Sequence, residues 1–187
     1  GRDDQHESGH GTGMAGLVLH GDLTTALGDT EPRTLRHRIE SVKILPPDGF
    51  EANDPRSYGV LTQAAVALPE IQAPARGRIF CMAVTNDNVS GTTASSWSAA
   101  IDQAAVGRML GDGEDADVEE ADRPKRLFIL SAGNTPAETD YTRLRPQDEF
   151  PIEDPAQAWN ALTIGGCTNL VDISDEGFEG WTAMASV

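Results

Sequence analysis

The stretch Leu127-Phe128-Ile129-Leu130-Ser131-Ala132-Gly133-Asn134 runs four large apolar residues into a small, turn-forming tail. A short apolar run bounded by turn residues predicts a strand over 127–131, with the chain turning over 132–134. In open α/β sheets ligands gather beyond the carboxyl ends of the strands, so Asn134 stands where a functional side chain belongs. Taken alone, the same residue reads equally well as an asparagine that shapes a turn or caps a helix.

Working outward from this strand, the chain alternates. Upstream lies the acidic segment 111–126, with Asp112, Glu114, Asp115, Asp117, Glu119, Glu120 and Asp122. It lacks calcium-loop spacing and reads as a solvated charge run. Before it, Ser95 or Ser96 caps a helix whose apolar face is Trp97, Ala100, Ile101, Ala104 and Ala105, extending to about Leu110. Arg78 to Val84 is almost continuously apolar, as in a strand buried on both faces, and Tyr58 to Ile71 carries apolar residues at helical spacing. Ile39 to Leu45 reads as a strand stopped by Pro46-Pro47-Asp48-Gly49. Downstream, a polar connection through Pro146 to Pro155 leads to a short helix near Ala156 to Asn160 and a strand over 161–167. Alternating strands and helices predict a parallel sheet covered on both faces, with no second domain and no repeats.

A second informative stretch is Gly9-His10-Gly11-Thr12-Gly13-Met14-Ala15-Gly16. It mounts a histidine in a glycine-rich turn and continues into the apolar residues Met14, Ala15, Leu17 and Val18. The periodicity predicts a helix from His10 to about Ala26. Glycines allow a sharp bend and close approach of a substrate, while the helix N-terminus puts partial positive charge beside the imidazole. A histidine so placed is a candidate general base for a serine nucleophile.

Together, in this order, the two stretches resemble the subtilisin-like serine peptidases. The histidine motif of that family reads His-Gly-Thr-His-Val-Ala-Gly, against which Gly13 replaces the second histidine and Met14 the valine. The resemblance implies a three-layer α/β fold with a mostly parallel sheet and helices on both faces. It implies His10 as general base and Asn134 as the side-chain donor to the oxyanion. The segment Ala83-Val84-Thr85, where the family usually has Ser-Leu-Gly, would pair with the substrate backbone and line the pocket for its side chain. The implied partner is a polypeptide substrate; no cofactor is expected, and no metal at the site, because the helix starts at His10 rather than running through His6.

The family also needs an aspartate before the histidine and a serine after the asparagine. Asp3 and Asp4 lie too close to His10 and lack a following Ser/Thr-Gly. Gly91-Thr92-Thr93-Ala94-Ser95 imitates the family's Gly-Thr-Ser-Met-Ala but precedes Asn134. Trp181-Thr182-Ala183-Met184-Ala185-Ser186 has alanine at the nucleophile position. Residues 1–187 are therefore expected to be the central part of one peptidase domain, without the segments that carry the catalytic aspartate and serine, and inactive alone. A catalytically dead, protein-binding relative is the alternative.

Two competing motifs overlap the histidine. His6-Glu7-Ser8-Gly9-His10 matches the zinc-peptidase pattern, which needs both histidines on one helix with more helix before them. Upstream there are only Gly1 to Gln5, without an apolar face, and Gly16 stands where a third zinc-binding histidine would fall. Gly11-x-Gly13-x-x-Gly16 matches a dinucleotide fingerprint but lacks the preceding strand, since Asp3 to Ser8 is polar throughout.

Composition sets the remaining bounds. The 187 residues, 39% hydrophobic and 24% charged, suffice for one ordinary core. A net charge of −16, from 30 acidic and 14 basic residues, argues against nucleic acid or an anionic membrane as partner. No apolar run approaches the roughly 18 residues of a membrane span. Cys81 and Cys167, both expected in strands, read as small hydrophobes rather than a disulfide and favour a cytoplasmic setting.

Overall fold

The computed structural model describes residues 9–46, 49–112, 119–135, 150–166 and 179–180. The chain passes through helices α1 (His10–His20), α2 (Leu23–Gly28) and α3 (Tyr58–Gln72), then strands β1 (Ile79–Met82) and β2 (Asn86–Ser90). Helix α4 (Ser96–Ala105) and strands β3 (Leu127–Ser131), β4 (Glu153–Asp154) and β5 (Leu162–Ile164) follow. Strands β1, β3 and β5 form a parallel sheet in that order, and β2 pairs antiparallel with β4. The expected α/β architecture with a parallel sheet is present, and the sheet is incomplete.

The apolar run 127–131 becomes the middle strand, flanked on both sides, and this buries Phe128 and Leu130 to 1% and 2% exposure. Against them lie Trp97, Ile101, Ala104 and Ala105 of α4, with Val66 of α3. Helix α4 starts where its capping chemistry directs. The Ser95 hydroxyl accepts the Ser98 N–H and the Ser98 hydroxyl accepts the Ser95 N–H, a reciprocal box that satisfies two otherwise orphaned donors. Helix α3 packs closely on α4 because Gly59 has no side chain: a Cβ there would meet the Ala100 Cβ at 2.9 Å. Two polar links fix their register, Trp97 Nε1 donating to the Thr62 hydroxyl at 2.8 Å and Gln63 Nε2 to the Ala100 carbonyl at 2.8 Å.

Ile101 is fully buried at the centre of this packing. Truncation leaves a cavity that backbone held by two helices and a strand cannot collapse into. Ile101→Ala should therefore cost about 2–5 kcal/mol, measured as a lowered urea midpoint at unchanged slope.

The structure corrects several expectations. The first helix does not reach Ala26. Gly21 adopts φ 71° and donates its N–H to the Leu17 carbonyl, ending α1, while the Asp22 carboxylate accepts the Thr24 N–H and starts α2. Glycine followed by aspartate is a stop and a start signal side by side. Helix α4 ends at Ala105 rather than Leu110, with Gly107 at φ 84° close beyond it. Residues 39–45 form no strand, since a strand needs a hydrogen-bonding neighbour and none pairs with them among the described residues. Side chains hold this segment instead. Asn53 donates to the Ile44 carbonyl at 2.7 Å, and Arg78 with Arg76 grips the Glu40 carboxylate, holding it below the usual carboxylate range.

Strand β1 is shorter than 78–84 and is not buried on both faces. Among the described residues it lies at the end of the sheet, and α3 and α4 pack on the face carrying Phe80, Phe128 and Leu130, leaving Ile79, Cys81 and Leu127 exposed. The expected buried role of Cys81 fails for that reason; Cys167 lies outside the described residues. The helix near Ala156 to Asn160 is replaced by two tight turns, closed by bonds from the Ala156 N–H to Glu153 and the Ala158 N–H to Pro155, because five residues are too few to sustain a helix unaided. The polar connection before it contains β4, which was not expected.

Candidate active site

Parallel pairing of β1 with β3, Met82 opposite Leu130, sets the carboxyl ends of the two strands side by side. Residues 83–85 leave one end and residues 132–134 leave the other. The two segments that the sequence marks as substrate-binding and oxyanion-binding thus emerge on one edge of the sheet.

His10 reaches this edge from α1. Gly9 precedes it in the left-handed region, φ 56° and ψ 27°, so His10 is the first residue of its helix. Its exposed imidazole places Nε2 3.3 Å from the Ala83 carbonyl oxygen, a hydrogen bond for the tautomer protonated at Nε2. The same glycine breaks the continuous helix on which the zinc pattern depends. Its other histidine, His6, lies outside the described residues, as do Asp3, Asp4 and the stretch 181–186.

Asn134 follows Gly133, which holds φ 106°. A Cβ on Gly133 would fall 2.5 Å from the Glu153 Cδ, so glycine is required both by the backbone angle and by a side chain folded directly over it. That side chain is the unexpected member of the site. The Glu153 carboxylate accepts the Asn134 backbone N–H at 3.0 Å through Oε1 and the Thr85 hydroxyl through Oε2, bridging the two strand ends. Its own N–H donates to the Ala132 carbonyl at 2.9 Å, which fixes where the side chain starts. The Asn134 side chain is left exposed at the rim.

Val84 and Thr85 also line a cavity of about 90 Å³ with Ile44, Leu45, Tyr58 and Leu61. This hollow is predominantly apolar and lies beside the strand end that His10 touches. Behind the site, Asp154 is 4% exposed and accepts the Ser95 hydroxyl at 2.5 Å and Gln157 Nε2 at 2.8 Å. Adjacent acidic residues thus face opposite ways, Asp154 toward the cap of α4 and Glu153 toward the strand ends.

The structure brings His10 to Ala83, and Thr85 and Asn134 to one carboxylate. Sequence reasoning missed Glu153, because an acid beside another acid in a polar connection looks like any solvated loop pair. The available signal was indirect: Gly133 ahead of Asn134 marked a place where another group comes close.

No curated protein and no solved structure matches this chain. A model of the subtilase family matches residues 1–186. On that match, and with an α/β domain that carries a parallel sheet, the chain belongs to the subtilase family of serine peptidases.

Proposed function

We propose that this chain supplies the general base and the oxyanion donor of a serine endopeptidase, with the orienting aspartate and the nucleophilic serine contributed by sequence beyond residues 1–187. In this reading the serine attacks the scissile carbonyl of a polypeptide while His10 takes its proton and later delivers it to the leaving amine. The aspartate holds the imidazole in orientation, and the Asn134 amide donates to the oxygen that becomes negative in the tetrahedral intermediate. Residues 83–85 pair with the substrate backbone. The observation that carries the proposal is the approach of the His10 imidazole to the carboxyl end of β1, beside the strand end that carries Asn134; with the aspartate and serine present its two nitrogens turn to them and release the Ala83 carbonyl.

The chain by itself should then hydrolyse no peptide, since residual catalysis after loss of triad members still depends on an assembled cleft. The test sets residues 1–187 beside the complete protein. Casein should be cleaved, and a fluorophosphonate probe that captures activated serines should label, only in the complete protein. Turnover by residues 1–187 alone, abolished in His10→Ala, would put the nucleophile inside this chain. A complete protein that binds polypeptide but neither cleaves nor labels would favour the catalytically dead alternative.

A further inference from the structure

A cavity of about 330 Å³ opens at the amino ends of β1 and β3, on the sheet edge opposite to His10 and Asn134. Basic side chains gather in it. Of the 14 lysines and arginines in a chain of net charge −16, Arg76, Arg78, Lys125 and Arg126 all line this one hollow. Two carboxylates hold part of that charge. Arg78 donates to Glu40 through Nε at 2.6 Å, and Arg126 grips Glu70 through Nε at 2.7 Å and Nη2 at 2.9 Å. With side chains only 10% and 8% exposed, these two guanidiniums are fixed in place.

Arg76 is the surplus cation. Glu40 is already held by Arg78, so three arginines share two carboxylates and the local charge stays positive. Among the described residues Arg76 spends a single N–H, from Nη1 to Glu40 at 2.5 Å, and its side chain is 61% exposed. A guanidinium carries five N–H groups in a planar fork that matches a carboxylate, so the others can take a ligand. The chain as a whole repels anions at long range, so an anion here is held by short, directed bonds rather than by steering.

The rest of the lining says which anion. The volume is at the lower end of the roughly 300–1,000 Å³ that takes a small organic ligand, and a bare phosphate or sulfate would leave most of it empty. Pro74, Phe80 and Pro124 give the hollow apolar wall, and the Phe80 ring is stacked at 5.2 Å on Phe128 of the core. Glu70 also lines it and disfavours a second negative charge on the ligand.

We propose that this cavity binds an apolar monocarboxylate, its head on the Arg76 guanidinium and its body against Pro74, Phe80 and Pro124. The inference stands apart from the peptidase reading, since it uses neither His10 nor Asn134.

The test adds benzoate, benzamide or inorganic phosphate to the complete protein at constant ionic strength and follows the amide resonances of Gly77 and Lys125. Benzoate should shift both saturably. Benzamide, which keeps the ring without the charge, and phosphate, which keeps charge without the ring, should bind at least about tenfold more weakly. In Arg76→Gln, which leaves the pair of Glu40 with Arg78, benzoate affinity should fall about tenfold or more at an unchanged melting midpoint. Benzoate affinity unmoved by Arg76→Gln, or no saturable shift in the natural protein, would overturn the proposal. Benzamide or phosphate binding as tightly as benzoate would overturn it equally.

Discussion

His10→Ala in the complete protein should lower kcat by about 10⁴–10⁶ while changing KM only a few-fold, because the general-base role we propose for His10 would be needed in both halves of an acyl-transfer reaction. The imidazole is exposed at the first position of α1, and the contact it loses is one bond to the Ala83 carbonyl. The thermal midpoint should therefore move little. Steady-state kinetics and a melting curve on one preparation separate the outcomes. A folded His10→Ala protein with near-normal kcat would remove His10 from the mechanism.

Asn134→Leu should lower kcat by about 10²–10³ with little change in KM, since a bond formed mainly in the transition state does not contribute to substrate binding. The geometry makes this substitution clean. Glu153 is held by the backbone N–H of Asn134, which leucine retains, and the asparagine side chain stands exposed. A purely structural asparagine would instead cost about 1 kcal/mol of stability and leave the turnover of folded protein nearly intact. Reduced kcat at an unchanged melting midpoint supports the oxyanion role. Unchanged kcat in a folded variant discards it.

The parts of the fold legible in sequence are those specified by neighbours along the chain. Ser95 announces α4 because its capping partner is three residues away, and the run 127–131 announces β3 because its burial needs only a sheet on either side. What stayed hidden depends on distant partners. Residues 39–45 have the composition of a strand, yet composition does not supply the neighbour a ladder needs. Strand β2, Asn86–Ser90, is almost entirely polar and pairs irregularly with β4, so no alternation marks it. At the site, glycine-rich turns exposed His10 and Asn134 as candidates. Glu153 becomes meaningful only once the chain folds back and sets it against Gly133, 20 positions earlier in sequence.

The two-residue strand β4 also constrains how this region can vary in length. Successive side chains of a strand point to opposite faces, so Glu153 faces the strand ends and Asp154 the cap of α4 only in one register. Inserting one residue between Ile152 and Glu153, with the upstream chain kept in register, would exchange the two directions. The shorter aspartate would be sent toward Thr85 and Asn134 and the longer glutamate into the tight space beneath Ser95. Substitutions here change one set of contacts at a time, whereas a change of length would undo the bridge between the strand ends and the start of a core helix together.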